Sequence, residues 1–93
     1  MNLEDRINVL IVDDHRKTRR ALIALLTSAE NIQIVGEASD GAEALARIQM
    51  DPPHVVLMDL QMPTVDGFQA TQVIKKRWPG VKVLELTKFP GYR

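Results

Sequence analysis

The chain contains no cysteine, few aromatic residues and no excess of charge of either sign. Without cysteine it can form neither disulfides nor thiolate-bound metal sites, and thiol catalysis is excluded. Its 12 basic and 12 acidic residues cancel, so no overall field attracts nucleic acid or anionic lipid. No apolar run approaches the roughly 20 residues that span a bilayer, and the N-terminus lacks the basic-then-apolar order of a signal peptide. We therefore expect a cytoplasmic protein with no membrane contact and no direct nucleic-acid contact.

The chain does have an ordinary globular composition, with 45% hydrophobic and 26% charged residues. Its 93 residues suffice for one domain with a modest core and leave no room for a second. No linker or internal repeat interrupts the sequence. We therefore expect residues 1–93 to form a single domain.

Four short apolar segments, rich in β-branched residues, predict strands. They cover residues 9–12, 32–35, 55–58 and 81–86. Between them, three segments have the apolar periodicity of helices. Their stripes are Ala21, Leu22, Leu25 and Leu26, then Ala42, Leu45 and Ile48, then Ala70, Val73 and Ile74. Alternating strands and helices predict an α/β fold with a doubly wound parallel sheet and helices on both faces.

Three aspartates and a threonine stand where predicted strands end. Asp13 and Asp14 follow the first strand, Asp59 follows the third, and Thr87 follows the fourth. Sites in such sheets form at the carboxyl ends of the strands, so we expect these side chains to lie close together. Three close carboxylates repel one another, and either protonation of one or a bound divalent cation relieves the repulsion. Oxygen ligands alone favour Mg²⁺ over zinc or copper.

A carboxylate in such a site can also act as a nucleophile. Asp59 could form an aspartyl phosphate if a metal neutralised the charge on the phosphoryl oxygens. Asp13 and Asp14 would then be the metal pair, and the Thr87 hydroxyl could donate to a phosphoryl oxygen.

Four motifs resemble, in order, the receiver domains of two-component response regulators. They are VLIVDDH at 9–15, VVLMDLQMP at 55–63, DG at 66–67 and VLELT at 83–87. Each motif alone is a weak signal, but the ordered set is specific and covers nearly the whole chain. The resemblance implies a flavodoxin-like fold with strand order 2-1-3-4. It also implies that Asp59 takes a phosphoryl group from the phosphohistidine of a histidine kinase, with Mg²⁺ as cofactor.

The resemblance further implies a role for each site residue. Asp14 binds Mg²⁺ directly, Asp13 helps through water, and Asp59 and the backbone carbonyl of Gln61 complete the protein ligands. Thr87 is the hydroxyl partner of the phosphoryl group. The histidine after the acidic pair is similar to receivers attached to helix-turn-helix DNA-binding domains.

The sequence departs from the family after Thr87. The resemblance implies a fourth helix, a fifth strand and a fifth helix there, whereas only residues 88–93 remain. We therefore expect a C-terminally shortened receiver that lacks these elements and the family's fifth-strand lysine. Strand four would then lie at a sheet edge, so we expect a homodimer formed through that edge and the C-terminal tail.

The two histidines have alternative roles. His15 is either a neighbour that tunes the acidic loop or a metal ligand, and the sequence favours the first. His54 has no second histidine or cysteine near it, so a capping or surface role is favoured over metal binding.

Three functions remain open from the sequence. The first is a phosphoacceptor module, the second is a phosphorylation-independent dimerisation or interaction module, and the third is a fragment of a longer DNA-binding response regulator. An enzyme with turnover is not expected, because no catalytic base, oxyanion donor set or substrate pocket is indicated.

Overall fold

The computed structural model describes residues 5–60, 62 and 67–86. Strands and helices alternate in them: β1 (Ile7–Val12), α1 (Arg16–Thr27), β2 (Ile32–Ala38), α2 (Gly41–Met50), β3 (Val55–Asp59), α3 (Gly67–Arg77) and β4 (Lys82–Leu86). All paired strands are parallel, and their order is β2-β1-β3-β4. The predicted α/β fold and strand order are confirmed. Residues 87–93, to which the expected shortening refers, lie outside the described part.

Within the described residues, no helix is both long enough and apolar enough to cross a bilayer. The cytoplasmic location expected from the sequence stays a prediction.

The two faces of the sheet are covered unequally. One face packs against α2 and α3 and holds the main core, whose members are Leu10, Val12, Ala38, Ala44, Ile48, Val56, Met58, Met62, Ala70, Ile74 and Val81. On the other face, α1 contacts β1 and β2, where Val9 and Ile11 are buried. Farther along that face Leu57 is half-buried and Leu84 is 49% exposed. The apolar runs of β1 and β3 both predict strands that are buried on two faces, which is confirmed for β1 and wrong for β3, because β3 is only partly covered on the α1 side.

Helix α1 differs most from its expected apolar stripe. None of its residues is buried, and Leu25 is 70% exposed. Leu22 and Leu26 are half-buried. The helix lies over β2, at one end of the described sheet, and the neighbouring β1, and only a narrow line of its surface meets these strands. The predicted stripe therefore faces the protein only through Leu22 and Leu26, while Leu25 lies outside the contact.

Helix α2 begins after a capping aspartate, Asp40. The Asp40 carboxylate accepts a hydrogen bond from the Glu43 backbone N–H at 2.8 Å, and the Glu43 carboxylate accepts one from the Ser39 N–H at 2.6 Å. These contacts satisfy donors that a helix start leaves without intrahelical partners. The expected core stripe is shifted, because Ala44 rather than Ala42 is buried.

Candidate functional site

Three aspartates meet at the carboxyl edge of the sheet. Asp13 directly follows β1 and Asp59 is the last residue of β3, and these two strands are neighbours. Asp13, Asp14, His15 and Asp59 each offer one ligand atom, and these four atoms lie within 4.8 Å of one another. The predicted convergence of the carboxylates is therefore observed. Their chemical roles stay predictions.

The burial of these carboxylates makes their mutual repulsion strong. Asp13 is 3% exposed and Asp59 is 2% exposed, while Asp14 is half-buried. Charges in such surroundings are poorly screened, so a divalent cation would be strongly favoured between them.

The residues present fit Mg²⁺. This ion prefers oxygen ligands at about 2.1 Å, so two ligands of one ion lie at most about 4.2 Å apart. The observed cluster needs only small side-chain movements, or one bridging water, to reach that spacing. Asp13, Asp14 and Asp59 would supply carboxylate oxygens, which are the donors that this ion selects.

Three hydrogen bonds hold Asp13 in place. Its N–H donates to the Ala38 carbonyl oxygen at 3.0 Å, which extends the pairing of β1 with β2. Its carboxylate accepts from the His15 backbone N–H at 2.8 Å. Its carbonyl oxygen accepts from the Arg19 guanidinium at 2.6 Å, and Arg19 also donates to Glu37 at 3.0 Å.

Arg19 was not identified from the sequence as a residue that supports the site. Its side chain is only 14% exposed. A long side chain in the first turn of a helix points back toward the helix N-terminus, which here is the loop that carries Asp13 and Asp14. That position in α1 was the available signal.

Helix α3 begins directly against Asp59. A Cβ atom placed on Gly67 would lie 2.1 Å from the Asp59 carbonyl oxygen. Only glycine permits this approach, because real Cβ atoms do not come so close to backbone atoms. The contact places the helix start beside the last residue of β3.

The remaining predicted site residues, Gln61 and Thr87, lie outside the described residues, and their roles stay predictions. Strand β4 does end beside the site, because Leu86 is the register partner of Asp59. The Leu60 N–H also donates to the Leu86 carbonyl oxygen at 3.1 Å.

The fold places the two histidines in different surroundings. His15 Nδ1 lies 3.0 Å from Asp14 Oδ1 and 3.4 Å from Asp13 Oδ1. His54 Nδ1 instead accepts a hydrogen bond from the Asn8 backbone N–H at 2.8 Å. His54 is exposed, which agrees with the surface alternative of its predicted capping or surface role, whereas His15 belongs to the acidic cluster.

Comparison with known proteins shows the same architecture. Residues 9–91 match the family described as the response regulator receiver domain. The response regulator protein VraR of Staphylococcus aureus is 45% identical over 83 residues, which are 89% of this chain and 40% of that protein. The chain therefore spans well under half the length of this curated relative.

Two solved structures illustrate the likeness. The response regulator domain of Thermotoga maritima CheB superposes with a TM-score of 0.84 at 32% identity, over 92% of this chain and 65% of that one. RcsB of Salmonella enterica serovar Typhimurium, solved bound to the promoter rprA in the presence of phosphomimetic BeF3⁻, gives a TM-score of 0.81 at 29% identity. The match covers 88% of this chain and 69% of that one.

Proposed function

Because this chain belongs to the family of response regulator receiver domains, we propose that it accepts a phosphoryl group on Asp59 from a histidine kinase with the help of Mg²⁺. The observation that carries the proposal is the gathering of Asp13, Asp14 and Asp59 at one sheet edge. The chain acts as a single signalling module in this proposal and not as an enzyme with turnover.

The transfer needs one bond to form and one to break. An Asp59 carboxylate oxygen attacks the phosphorus of the kinase phosphohistidine, and the P–N bond breaks with its electron pair left on the imidazole. The imidazole then takes a proton from water, and Asp59 carries an acyl phosphate. Bound Mg²⁺ would neutralise charge on the phosphoryl oxygens, held by Asp13, Asp14, Asp59 and the Gln61 carbonyl.

The remaining protein groups orient the reaction. Gly67 lets α3 begin against the Asp59 carbonyl, and Arg19 holds the Asp13 carbonyl. The Thr87 hydroxyl is proposed to donate to a phosphoryl oxygen. Pre-positioned groups of this kind reduce the entropy cost of bringing the reacting atoms together.

The experiment is intact-mass spectrometry after incubation with acetyl phosphate and Mg²⁺. We expect one phosphoryl group on the wild-type chain and none on Asp59→Asn. Asp51→Asn is the matched control, because Asp51 is an exposed aspartate at the end of α2. Modification that persists in Asp59→Asn would contradict the assignment of the acceptor, and an unmodified wild type would contradict the function.

A second function, self-association through β4, is favoured by a separate observation. Among the described residues β4 is an edge strand, and Leu84 and Leu86 on it are 49% and 36% exposed. A strand edge with apolar side chains favours pairing with a second copy, so we propose a homodimer through this edge and the C-terminal tail.

Sedimentation velocity at micromolar concentration tests the dimer. We expect wild type to sediment as a dimer and Leu84→Lys as a monomer. Leu25→Lys places the same charge on the exposed side of α1 and should leave the dimer intact. A wild type that remains monomeric is incompatible with this proposal.

As an alternative to that homodimer, we propose that the chain corresponds to the receiver part of a longer DNA-binding regulator, in which the fifth strand implied by the resemblance would cover the β4 edge. The support is that it spans 40% of VraR and resembles RcsB, which was solved bound to a promoter. The receiver itself is not proposed to contact DNA, because its charges balance. An electrophoretic shift of promoter DNA by residues 1–93 alone would contradict that assignment.

A further inference from the structure

We propose that His15 is a nitrogen ligand of the cation site, so that the site binds the first-row divalent ions Mn²⁺, Co²⁺ and Zn²⁺ as well as Mg²⁺. The inference rests on the proposed function, because it takes the acidic cluster to be a cation site. It adds a ligand of different chemistry to the three carboxylates.

The Nδ1 atom of His15 lies close enough to the aspartate oxygens to bind the same ion. His15 Nδ1 is 3.0 Å from Asp14 Oδ1 and 3.4 Å from Asp13 Oδ1. Ligands about 2.1 Å from one ion are separated by about 3.0 Å in adjacent octahedral positions and by about 3.4 Å in tetrahedral positions. The 3.0 Å spacing matches an octahedral edge, and the 3.4 Å spacing exceeds that edge by about 0.4 Å, which a small side-chain rotation would remove.

The backbone holds His15 at the edge of the acidic cluster, and its side chain is exposed on the solvent side. His15 occupies the N-cap position of α1, yet its side chain makes no capping hydrogen bond. Its backbone N–H donates to the Asp13 carboxylate, and this hydrogen bond keeps the His15 backbone next to the acidic cluster. The side chain is 56% exposed, so small rotations toward an ion disturb no packing.

An imidazole ligand should affect the affinities of different ions unequally. Mg²⁺ is a hard ion that binds oxygen, whereas Mn²⁺, Co²⁺ and Zn²⁺ bind imidazole nitrogen with increasing affinity. His15 should therefore raise the affinity for these ions and leave the Mg²⁺ affinity nearly unchanged. A merely structural role would change all ions together.

Calorimetric titration of the same chain with Mg²⁺, Mn²⁺, Co²⁺ and Zn²⁺ tests the selectivity. We expect His15→Gln, which keeps polarity and loses the ring nitrogens, to weaken Co²⁺ and Zn²⁺ binding about ten-fold or more and Mg²⁺ binding less than about two-fold. His54→Gln is the control for histidine content, and it should change neither.

Pulsed electron paramagnetic resonance of bound Mn²⁺ gives a direct readout. We expect nitrogen coupling from a coordinated imidazole in wild type, and its loss in His15→Gln. Equal losses for all four ions, or wild-type Mn²⁺ without nitrogen coupling, would overturn the inference alone. If wild type binds no Mg²⁺ at all, the cation site and the proposed function fail with it.

Discussion

Arg19, in helix α1, donates a hydrogen bond through its guanidinium to the backbone carbonyl oxygen of Asp13, in the loop before that helix, at 2.6 Å. The same side chain pairs with Glu37 on β2. One buried arginine therefore ties helix α1 and strand β2 to the loop that carries the acidic pair. The loop geometry depends on this side chain.

Replacing Arg19 should lower stability. We expect Arg19→Gln to reduce the free energy of unfolding by about 1.5–3 kcal/mol, because hydrogen bonds to charged groups contribute that much and Glu37 loses its close partner. Urea denaturation measures the change. Arg20→Gln is the control: Arg20 is 61% exposed and 3.9 Å from the same Glu37, so its loss should cost less than about 1 kcal/mol. Equal costs for both variants would contradict the special role of Arg19.

Divalent cations should stabilise the folded chain. A ligand that binds only the native state adds about 2.7 kcal/mol at one hundred times its dissociation constant. We expect Mg²⁺ to raise the thermal midpoint and a chelator to reverse the rise, as measured by circular dichroism. The rise should be much smaller in Asp13→Asn, and Asp51→Asn should retain it. A thermal midpoint of the wild type that does not change with Mg²⁺ would contradict a cation site.

The sequence pattern was sufficient for the alternation of parallel strands and helices and for the meeting of the aspartates, whereas the strand order came from the family resemblance. Buried parallel strands produce continuous apolar runs, and the carboxyl ends of such strands share one edge, so Asp13 and Asp59 follow from local pattern and topology. The arrangement around them was not predictable in the same way. The low exposure of Arg19 depends on its contact with Glu37 on β2, and the exposure of Leu25 depends on how α1 lies over β1 and β2.

The cap of α2 should contribute measurably to stability. Asp40→Ala removes the side-chain acceptor for the Glu43 N–H, and such losses cost about 1 kcal/mol. We expect a reduction of that size in the free energy of unfolding from urea titration. Asp51→Ala at the other end of the helix, where the backbone N–H makes the capping bond, is the control and should be close to neutral. A neutral Asp40→Ala would show that the cap adds little.

Replacing Thr71 by valine should stabilise the fold. It is 2% exposed in α3, and its hydroxyl has no hydrogen-bond partner among the described residues. A buried polar group without a partner costs about 1–3 kcal/mol, so Thr71→Val, of nearly equal shape, should raise the free energy of unfolding by about 1 kcal/mol. Thr18→Val, on the exposed face of α1, should give no such gain. A clear loss in Thr71→Val would mean that the hydroxyl has a stabilising partner.

Gly67 should tolerate no side chain, because the start of α3 lies against Asp59. An added Cβ would meet the Asp59 carbonyl oxygen at 2.1 Å, and both contacting groups are backbone, so the helix or the strand must shift. We expect Gly67→Ala to lower the free energy of unfolding by about 2 kcal/mol, the usual scale of overpacking, and to slow modification by acetyl phosphate. Gly80→Ala is the matched control, since nothing lies within 4 Å of its Cβ position. At Gly80 alanine should be neutral or slightly stabilising, because it restricts the unfolded chain. If both variants matched wild type in urea titration and in modification rate, the close approach of α3 to Asp59 would be refuted.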